Sequence, residues 1–281
     1  MEHDQIVVPV NVVIPCFRCA HTVKCAIDSI VKQTHKPAGV ILVDDASRDD
    51  TLGVLWELEK RYAGWIKVIA LDENVGAGSA RNAGWAIATQ PYIAFLDADD
   101  SWHPEKLRIQ YEYMRNKPDI TLCGHQCVCL HNSDDPPVAL ENFPVTKISA
   151  NSLLFKNAFS TPTVMLKRDI PFRFQEGKHF AEDFLLWQQI AFAGLQVVRL
   201  ESPLAYVHKS LYGAGGLSAQ LWKMEGGELS NFAFLYRAAS INFPLYAISV
   251  FFSVVKFMKR VLVTRLRGLI KLLLRRGGGV A

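Results

Sequence analysis

Cysteine is scarce and irregularly placed, with six residues in 281, which is unlike the framework of a secreted disulfide protein. A chain of this length buries about three quarters of its unfolded surface and needs no such staples. Long apolar runs are missing as well. The longest mainly apolar stretch late in the chain, residues 245–255, has 11 residues, two of them serine, short of the ~20 that a spanning helix requires. Residues 1–4 carry two acids where a secretory leader would be basic, so a cytoplasmic protein is expected. No P-loop pattern, internal repeat or low-complexity tract occurs, which argues against Walker-type nucleotide hydrolysis, solenoids and disorder. Acids are absent after Glu228, whereas nine cations follow it, from Arg237 to Arg276. Before that point 22 cations stand against 27 acids, so an acidic body of about −5 precedes a tail of +9. Such a body gives no reason to expect nucleic acid as a partner.

What is present alternates strands with helices. Residues 6–14 are rich in Val and Ile, and Pro15 ends them, as in a buried strand. Val23, Ile27, Ile30 and Val31 follow at helical spacing up to Thr34. Further strands are expected over residues 40–43, 66–71 and 92–96, with helices over 52–62, capped by Asp49 or Thr51, and over 79–89. Pro104 marks the first turn of another helix. Strands joined by single helices give right-handed crossovers and a mostly parallel sheet, whose ligands bind beyond the strands' carboxyl ends. The second half reads more loosely. Residues 134–137 form a loop, 181–193 a helix, 197–200 and 204–207 short strands, and 213–216 a Gly-rich loop able to close over a ligand.

Three clusters fall at the expected strand ends. Asp97-Ala98-Asp99-Asp100 crowds three carboxylates, whose hard oxygens suit Mg²⁺ or Mn²⁺ bridging to a diphosphate; the plainer reading is a solvated turn. Asp44-Asp45-Ala46-Ser47 offers a carboxylate to a nucleobase or ribose, or else caps a helix. Gly76-Ala77-Gly78-Ser79-Ala80-Arg81 is a weak near-match to a dinucleotide fingerprint, with Arg81 in the last glycine position; a helix N-terminus beside an arginine suits an anion. Glu182-Asp183 opens an expected helix, where acids favour the dipole, yet one of them can also serve as a base. Cys123, His125, Cys127 and Cys129 share one strand face, and Cys16 and Cys19 have CxxC spacing; both sets read better as packed thiols than as a metal site.

Taken together in this order, the motifs resemble those of the family 2 glycosyltransferases. They are Val12-Val13-Ile14-Pro15, Ala26-Ile27-Asp28-Ser29-Ile30 with Gln33-Thr34, Val43-Asp44-Asp45-Ala46-Ser47, Asn74-Val75-Gly76, Ala80-Arg81-Asn82-Ala83-Gly84, Phe95-Leu96-Asp97-Ala98-Asp99-Asp100 and Ala181-Glu182-Asp183. The resemblance covers roughly residues 8–210. It implies a GT-A (Rossmann-like) α/β fold and inverting transfer from a nucleotide-diphospho-sugar, a UDP-sugar by default, to a surface-glycan or lipid-linked acceptor. It also implies roles. Asp45, with Pro15 and Phe17, would hold the base, and Gly76 and Arg81 would lie along the nucleotide. Asp97 and Asp99 would match the metal-binding pair, Asp97 reaching also to the ribose, with His208 as a further ligand. Asp183 would be the general base, beside Glu182. Where the family has Tyr-Asn near the first-strand proline, this chain has Cys16-Phe17-Arg18. Competing readings are a sugar-nucleotide nucleotidyltransferase, whose glycine-rich basic signature is missing, and an inactive membrane-bound assembly subunit.

The expected domains are a body over residues 1–228, with a nucleotide half of about 6–120 and an acceptor half of about 121–228, and a basic amphipathic helical tail over 229–281. In that tail Lys256, Lys259, Arg260, Arg267 and Lys271 form one helical stripe opposite Met258, Leu262, Leu266 and Leu269. Such a helix is drawn to an anionic membrane surface, here the inner face of the cytoplasmic membrane. Docking on the body or on a second copy in a homodimer is the alternative.

Overall fold

The computed structural model describes residues 6–130, 142–208 and 220–277, excepting the side chains of 265–277. The loops expected at 134–137 and 213–216 lie outside the described residues. In the first half the order is β1 (Ile6–Cys16), α1 (Val23–Val31), β2 (His35–Asp44), α2 (Thr51–Arg61), β3 (Ile66–Ala70), α3 (Ala77–Ile87), β4 (Tyr92–Phe95), β5 (Asp100–Trp102) and α4 (Lys106–Asn116). In the second half follow β6 (Ile120–Cys129), β7 (Val145–Lys147), two 3-10 turns (Asn151–Leu154 and Thr161–Thr163), β8 (Met165–Lys167), α5 (Glu182–Phe192), β9 (Gln196–Val207), α6 (Leu221–Arg237) and α7 (Phe243–Gly277).

Among the described residues nine strands join one sheet in the order β3-β2-β1-β4-β8-β6-β9-β5, with β7 pairing on β9. The pairings β2–β3, β1–β2 and β1–β4 are parallel, as the crossover helices require. From β4 onward the pattern is mixed, since β8 runs antiparallel to both β4 and β6. The expected pair of strands at 197–200 and 204–207 is one continuous β9, paired with β6 through register shifts around Gln126 and Pro203. Pro203 has no N–H to give the ladder, and the irregularity absorbs it.

β1 is buried on both faces, with Val10, Val12, Val13 and Ile14 excluded from solvent, which explains its continuous apolar run. One face packs on α1, α2 and α4, around Ile27, Ile30, Leu55 and Leu107. The other packs on α3 and α5 through Trp85, Phe95, Phe174 and Trp187, whose rings meet at tilted and edge-on angles. Asn11 is the polar exception in β1. Its Oδ1 accepts from the Thr89 and Gln90 amides, both at 2.9 Å, and so fixes the turn between α3 and β4.

α1 positions the segment after the acidic cluster. Ser29 Oγ accepts from Trp102 N at 3.2 Å, while the buried Gln33 donates to His103 O at 2.8 Å and accepts from Leu107 N at 3.0 Å. α4 therefore starts at Lys106, two residues later than Pro104 suggested.

The expected boundary after residue 228 falls inside α6. α6 and α7 form a hairpin packed on the body through Leu154, Phe232, Leu235 and Ile241. α7 has 35 residues, roughly 50 Å of helix at the usual rise. Among the described residues no helix is long and apolar enough to cross a membrane.

Candidate active site

The candidate site lies where the carboxyl ends of β2, β1 and β4 meet the N-termini of α3 and α5. Asp45, just past β2, is buried. Its two carboxylate oxygens accept from Val75 N at 2.8 Å and Gly76 N at 3.0 Å, and its carbonyl accepts from Asn74 Nδ2. This carboxylate thus organises the turn that starts α3, while each of its oxygens keeps a further lone pair for a ligand. Neighbouring Asp44 accepts from Ser47 N at 3.2 Å and leaves Oδ1 buried without a partner. Gly76 has φ +86°, and a Cβ there would stand 2.6 Å from the His179 ring, so both backbone and space demand glycine. Pro15 lies beside Val43 at the end of β1. Phe17 is exposed, with the Arg18 guanidinium 5.2 Å from its ring centre. Arg18 itself sits at φ +50°, its amide bonded to Ser47 Oγ at 3.0 Å.

Arg81, on α3, joins the two acidic clusters. It is buried, reaching Asp97 Oδ1 at 2.6 Å and Glu182 Oε1 at 3.3 Å, and it lies over the Phe174 ring. Burial works against its charge, but the Asp97, Glu182 and Asp183 carboxylates outweigh that and hold its pKa above the ordinary arginine value. Glu182 comes this close to α3 because residue 78 is glycine: a Cβ there would lie 2.9 Å from Glu182 Cγ. Burial, reinforced by the Asp183 charge, raises Glu182 to about 7 despite Arg81.

Asp183 opens α5 behind Ala181, which takes a left-handed conformation at φ +54°. Its Oδ1 accepts from Phe184 N at 2.6 Å and its Oδ2 from the Thr161 hydroxyl at 3.1 Å. Burial raises its pKa above the usual carboxylate value, and Arg81, the Phe184 amide and Thr161 pull in the other direction.

Asp97, Asp99 and Asp100 leave the end of β4 together, with Asp100 already paired to Val207 in β9. Burial, and then the Asp97 charge, raises Asp100 to about 8. His208 follows β9 directly, and its Nε2 lies 2.7 Å from Ser101 Oγ, next to Asp100 in sequence. Among the described residues no three His, Cys, Asp or Glu side chains are arranged as a metal cage. A divalent cation shared with a diphosphate needs only one or two carboxylates. The three carboxylates crowded at the end of β4 offer the hard oxygens that such an ion takes. On β6, Cys123 and His125 are buried, with Cys123 pushed up to about 12 and His125 down to about 3 by burial, in keeping with packed thiols and a neutral ring.

Three contacts had no signal in the sequence: Thr161 on Asp183, Phe174 under Arg81, and Ser101 on His208. Thr161 and Phe174 come from irregular segments with no periodicity to read.

Comparison with known proteins places this geometry. The sequence profile described as Glycosyl transferase family 2 matches residues 11–173. An uncharacterized glycosyltransferase of Nostoc sp. is 36% identical over 116 residues, spanning 41% of this chain and 36% of that protein. The UDP-Glc:alpha-D-GlcNAc-diphosphoundecaprenol beta-1,3-glucosyltransferase WfgD of Escherichia coli is 29% identical over 181 residues, 64% of this chain and 69% of its own. The mannosyltransferase PcManGT of Pyrobaculum calidifontis, solved with GDP-Man and Mn²⁺, shares the fold with a TM-score of 0.63 at 17% identity, over 96% of this chain and 79% of its own.

Proposed function

The chain belongs to glycosyl transferase family 2, and we propose that it moves a sugar from a nucleotide-diphospho-sugar, a UDP-sugar by default, to a hydroxyl of a lipid-linked or cell-surface glycan, with inversion at the sugar carbon. One observation carries this reading: a single buried guanidinium, Arg81, ties the strand-end acids to the acids that open α5. Donor and acceptor chemistry then share one cleft. The name of the Escherichia coli relative supports a UDP-sugar donor and a diphospholipid acceptor.

In this mechanism Phe17 and Pro15 flank the base, and Asp45 with the Gly76 turn receives the nucleoside. Asp97 reaches the ribose while Arg81 holds it in place. Asp99, with His208 alongside, would hold a divalent cation, Mn²⁺ or Mg²⁺, which would neutralise charge on the departing diphosphate. Asp183 accepts the proton of the attacking hydroxyl. Its two hydrogen bonds from Phe184 N and Thr161 fix the carboxylate plane, and each oxygen keeps a further lone pair with which to take that proton. Glu182, held by Arg81, keeps a second carboxyl beside it. The body would act as nucleotide half, 6–120, and acceptor half, 121–228.

We further propose that the tail works at the cytoplasmic face of the membrane, where a lipid-linked acceptor would be presented. The support is the outer face of α7, on which Phe251, Val255, Met258 and Leu262 are exposed. Lys256 and Arg260 of the cationic stripe turn the other way, 3.6 Å from Glu228 on α6, so apolar insertion carries more of the binding than these charges.

The test is transfer by the full chain from a panel of nucleotide sugars to a polyprenyl-diphosphate N-acetylhexosamine, following release of the nucleoside diphosphate. Asp183→Asn is expected to bind donor nearly normally and to lose turnover by about 10²-fold or more. Release of pyrophosphate instead would favour nucleotidyl transfer. Collapse of donor binding with unchanged turnover per bound donor would make Asp183 a binding residue.

A further inference from the structure

A cavity of about 340 Å³ opens between residues 175–178 and α6, lined by Gln175, Glu176, Lys178, Ser230, Phe234 and Arg237. We propose that it receives a phosphate of the acceptor, the group that links the acceptor's first sugar to its lipid. The inference rests on the lipid-linked acceptor proposed above and adds a site for the part of that molecule that does not react.

Position is the first argument. The segment lining one wall runs directly into Glu182 and Asp183; burial lowers the Lys178 pKa, and the Glu182 charge opposes that. Only one sugar ring separates an attacking hydroxyl at Asp183 from the phosphate that follows it. The opposite wall is α6, anchored to the same segment by Asn231 Nδ2, which donates to Ala181 O at 2.9 Å. The cavity is thus held at a fixed remove from the base.

Charge is the second. Lys178 is half-buried, its Nζ donating to Ser230 Oγ at 2.6 Å and Gly227 O at 3.2 Å, while the Ser230 hydroxyl gives its own proton to Gly227 O at 2.8 Å; the ammonium keeps one of its three protons for a ligand. Arg237 enters from the last turn of α6 and has no ion pair among the described residues. A guanidinium with an ammonium is a donor set that phosphoryl oxygens take. Glu176, also in the lining, adds one negative charge and leaves the pair of cations in excess.

Continuity with the apolar face is the third. Next to Arg237, Tyr236 stacks on Tyr246 and meets Phe243, both on α7. Phe243 begins the exposed apolar face that continues to Leu262 and Val263. A diphosphate in the cavity would have its lipid running out along these rings toward the bilayer, with the sugar on the Asp183 side.

The test compares full-length wild type with Arg237→Gln and with Arg237→Lys. Two acceptors are used, a polyprenyl-diphosphate N-acetylhexosamine and the octyl glycoside of the same sugar. The expected result is that Arg237→Gln raises KM for the diphosphate acceptor tenfold or more, leaves the donor KM alone, and leaves the octyl glycoside unaffected. Arg237→Lys should recover part of the loss. A readout free of turnover is farnesyl diphosphate against farnesol: only the diphosphate should shift the melting temperature, and that shift should shrink in Arg237→Gln. Equal effects on both acceptors, or none while wild type turns over, would overturn the cavity assignment and leave the transferase reading standing. A wild type inactive on both acceptors would overturn that reading instead, with the farnesyl diphosphate comparison still deciding the cavity. Lost flotation with phosphatidylglycerol vesicles at unchanged acceptor KM would assign the cavity to a membrane headgroup and overturn the proposal.

Discussion

The body and the C-terminal hairpin place charge and apolar surface in opposite ways. In the body two large apolar clusters are hidden on the faces of the sheet, and Arg81 gathers Asp97 and Glu182 at the strand ends. In the α6–α7 hairpin the ion pairs of Lys256 and Arg260 with Glu228 lie between the helices, while Trp222 at 72% exposure and Phe251 at 70% look outward. A soluble surface seldom shows contiguous apolar area of this kind unless something covers it. The first arrangement gathers charge at the candidate active site, and the second leaves an apolar face on the outside of the hairpin. The difference can be tested by breaking each arrangement separately.

The largest effect is expected at Arg81. Arg81→Met keeps the volume but leaves Asp97 and Glu182 without their shared cation in a buried setting. Breaking such a pair costs about 3–5 kcal/mol, and chemical denaturation should read a loss of that order. Arg81→Lys should not restore it, because one ammonium cannot reach two carboxylates as a fork does. A stability within 1 kcal/mol of wild type would mean that the cleft's charges are solvated enough to stand alone, and the contrast with the hairpin would weaken.

Next comes the hairpin's outer face. Phe251→Ser, Met258→Ser and Leu262→Ser combined remove large apolar groups that are already exposed. Each is worth about 1.5–3 kcal/mol when fully buried, so binding to phospholipid vesicles in flotation should fall at least tenfold. Folding stability should barely move, because surface substitutions away from special contacts usually stay within about 0.5 kcal/mol each. These variants are cleaner than a chain stopped at Asn242, which would also strip Leu245, Tyr246 and Val250 from the small core under α6. A change in oligomeric state with unchanged flotation would point to a second copy as the partner of this face.

How much of this was legible in the sequence follows the same division. The strand-end acids, Arg81 and Asp183 were readable because their chemistry is written in contiguous motifs beside apolar strands, and a parallel β2-β1-β4 arrangement brings such ends together whatever lies between. The amphipathic stripe of α7 was readable too, but not which side faces out. A helical pattern gives the angle between Lys256 and Met258, whereas Glu228, the group that turns the lysine inward, is 28 residues away on another helix. The mixed half of the sheet resisted for a related reason. β7 and β8 are three residues each, too short to show a period of two, and they are fixed by their neighbours in the sheet. Thr161 belongs to the same group, in a three-residue turn and 22 positions from the carboxylate it holds.

The smallest expected effect is the one that tests the body's arrangement most finely. Thr161 donates to Asp183 Oδ2 and so favours the ionised carboxylate, against the burial that raises its pKa. Thr161→Val is nearly isosteric and removes only that hydrogen bond. The Asp183 pKa must then rise further. A base works only when deprotonated, so the acidic limb of the kcat/KM profile should move to higher pH, by up to about one unit. The plateau above it should fall much less than in Asp183→Asn, since the carboxylate and its bond from Phe184 N remain. A purely structural role for Thr161 would lower the whole profile without moving its limb. A limb that moved to lower pH would mean that the hydroxyl accepts rather than donates at this carboxylate, and Asp183 would then be held protonated in the resting cleft.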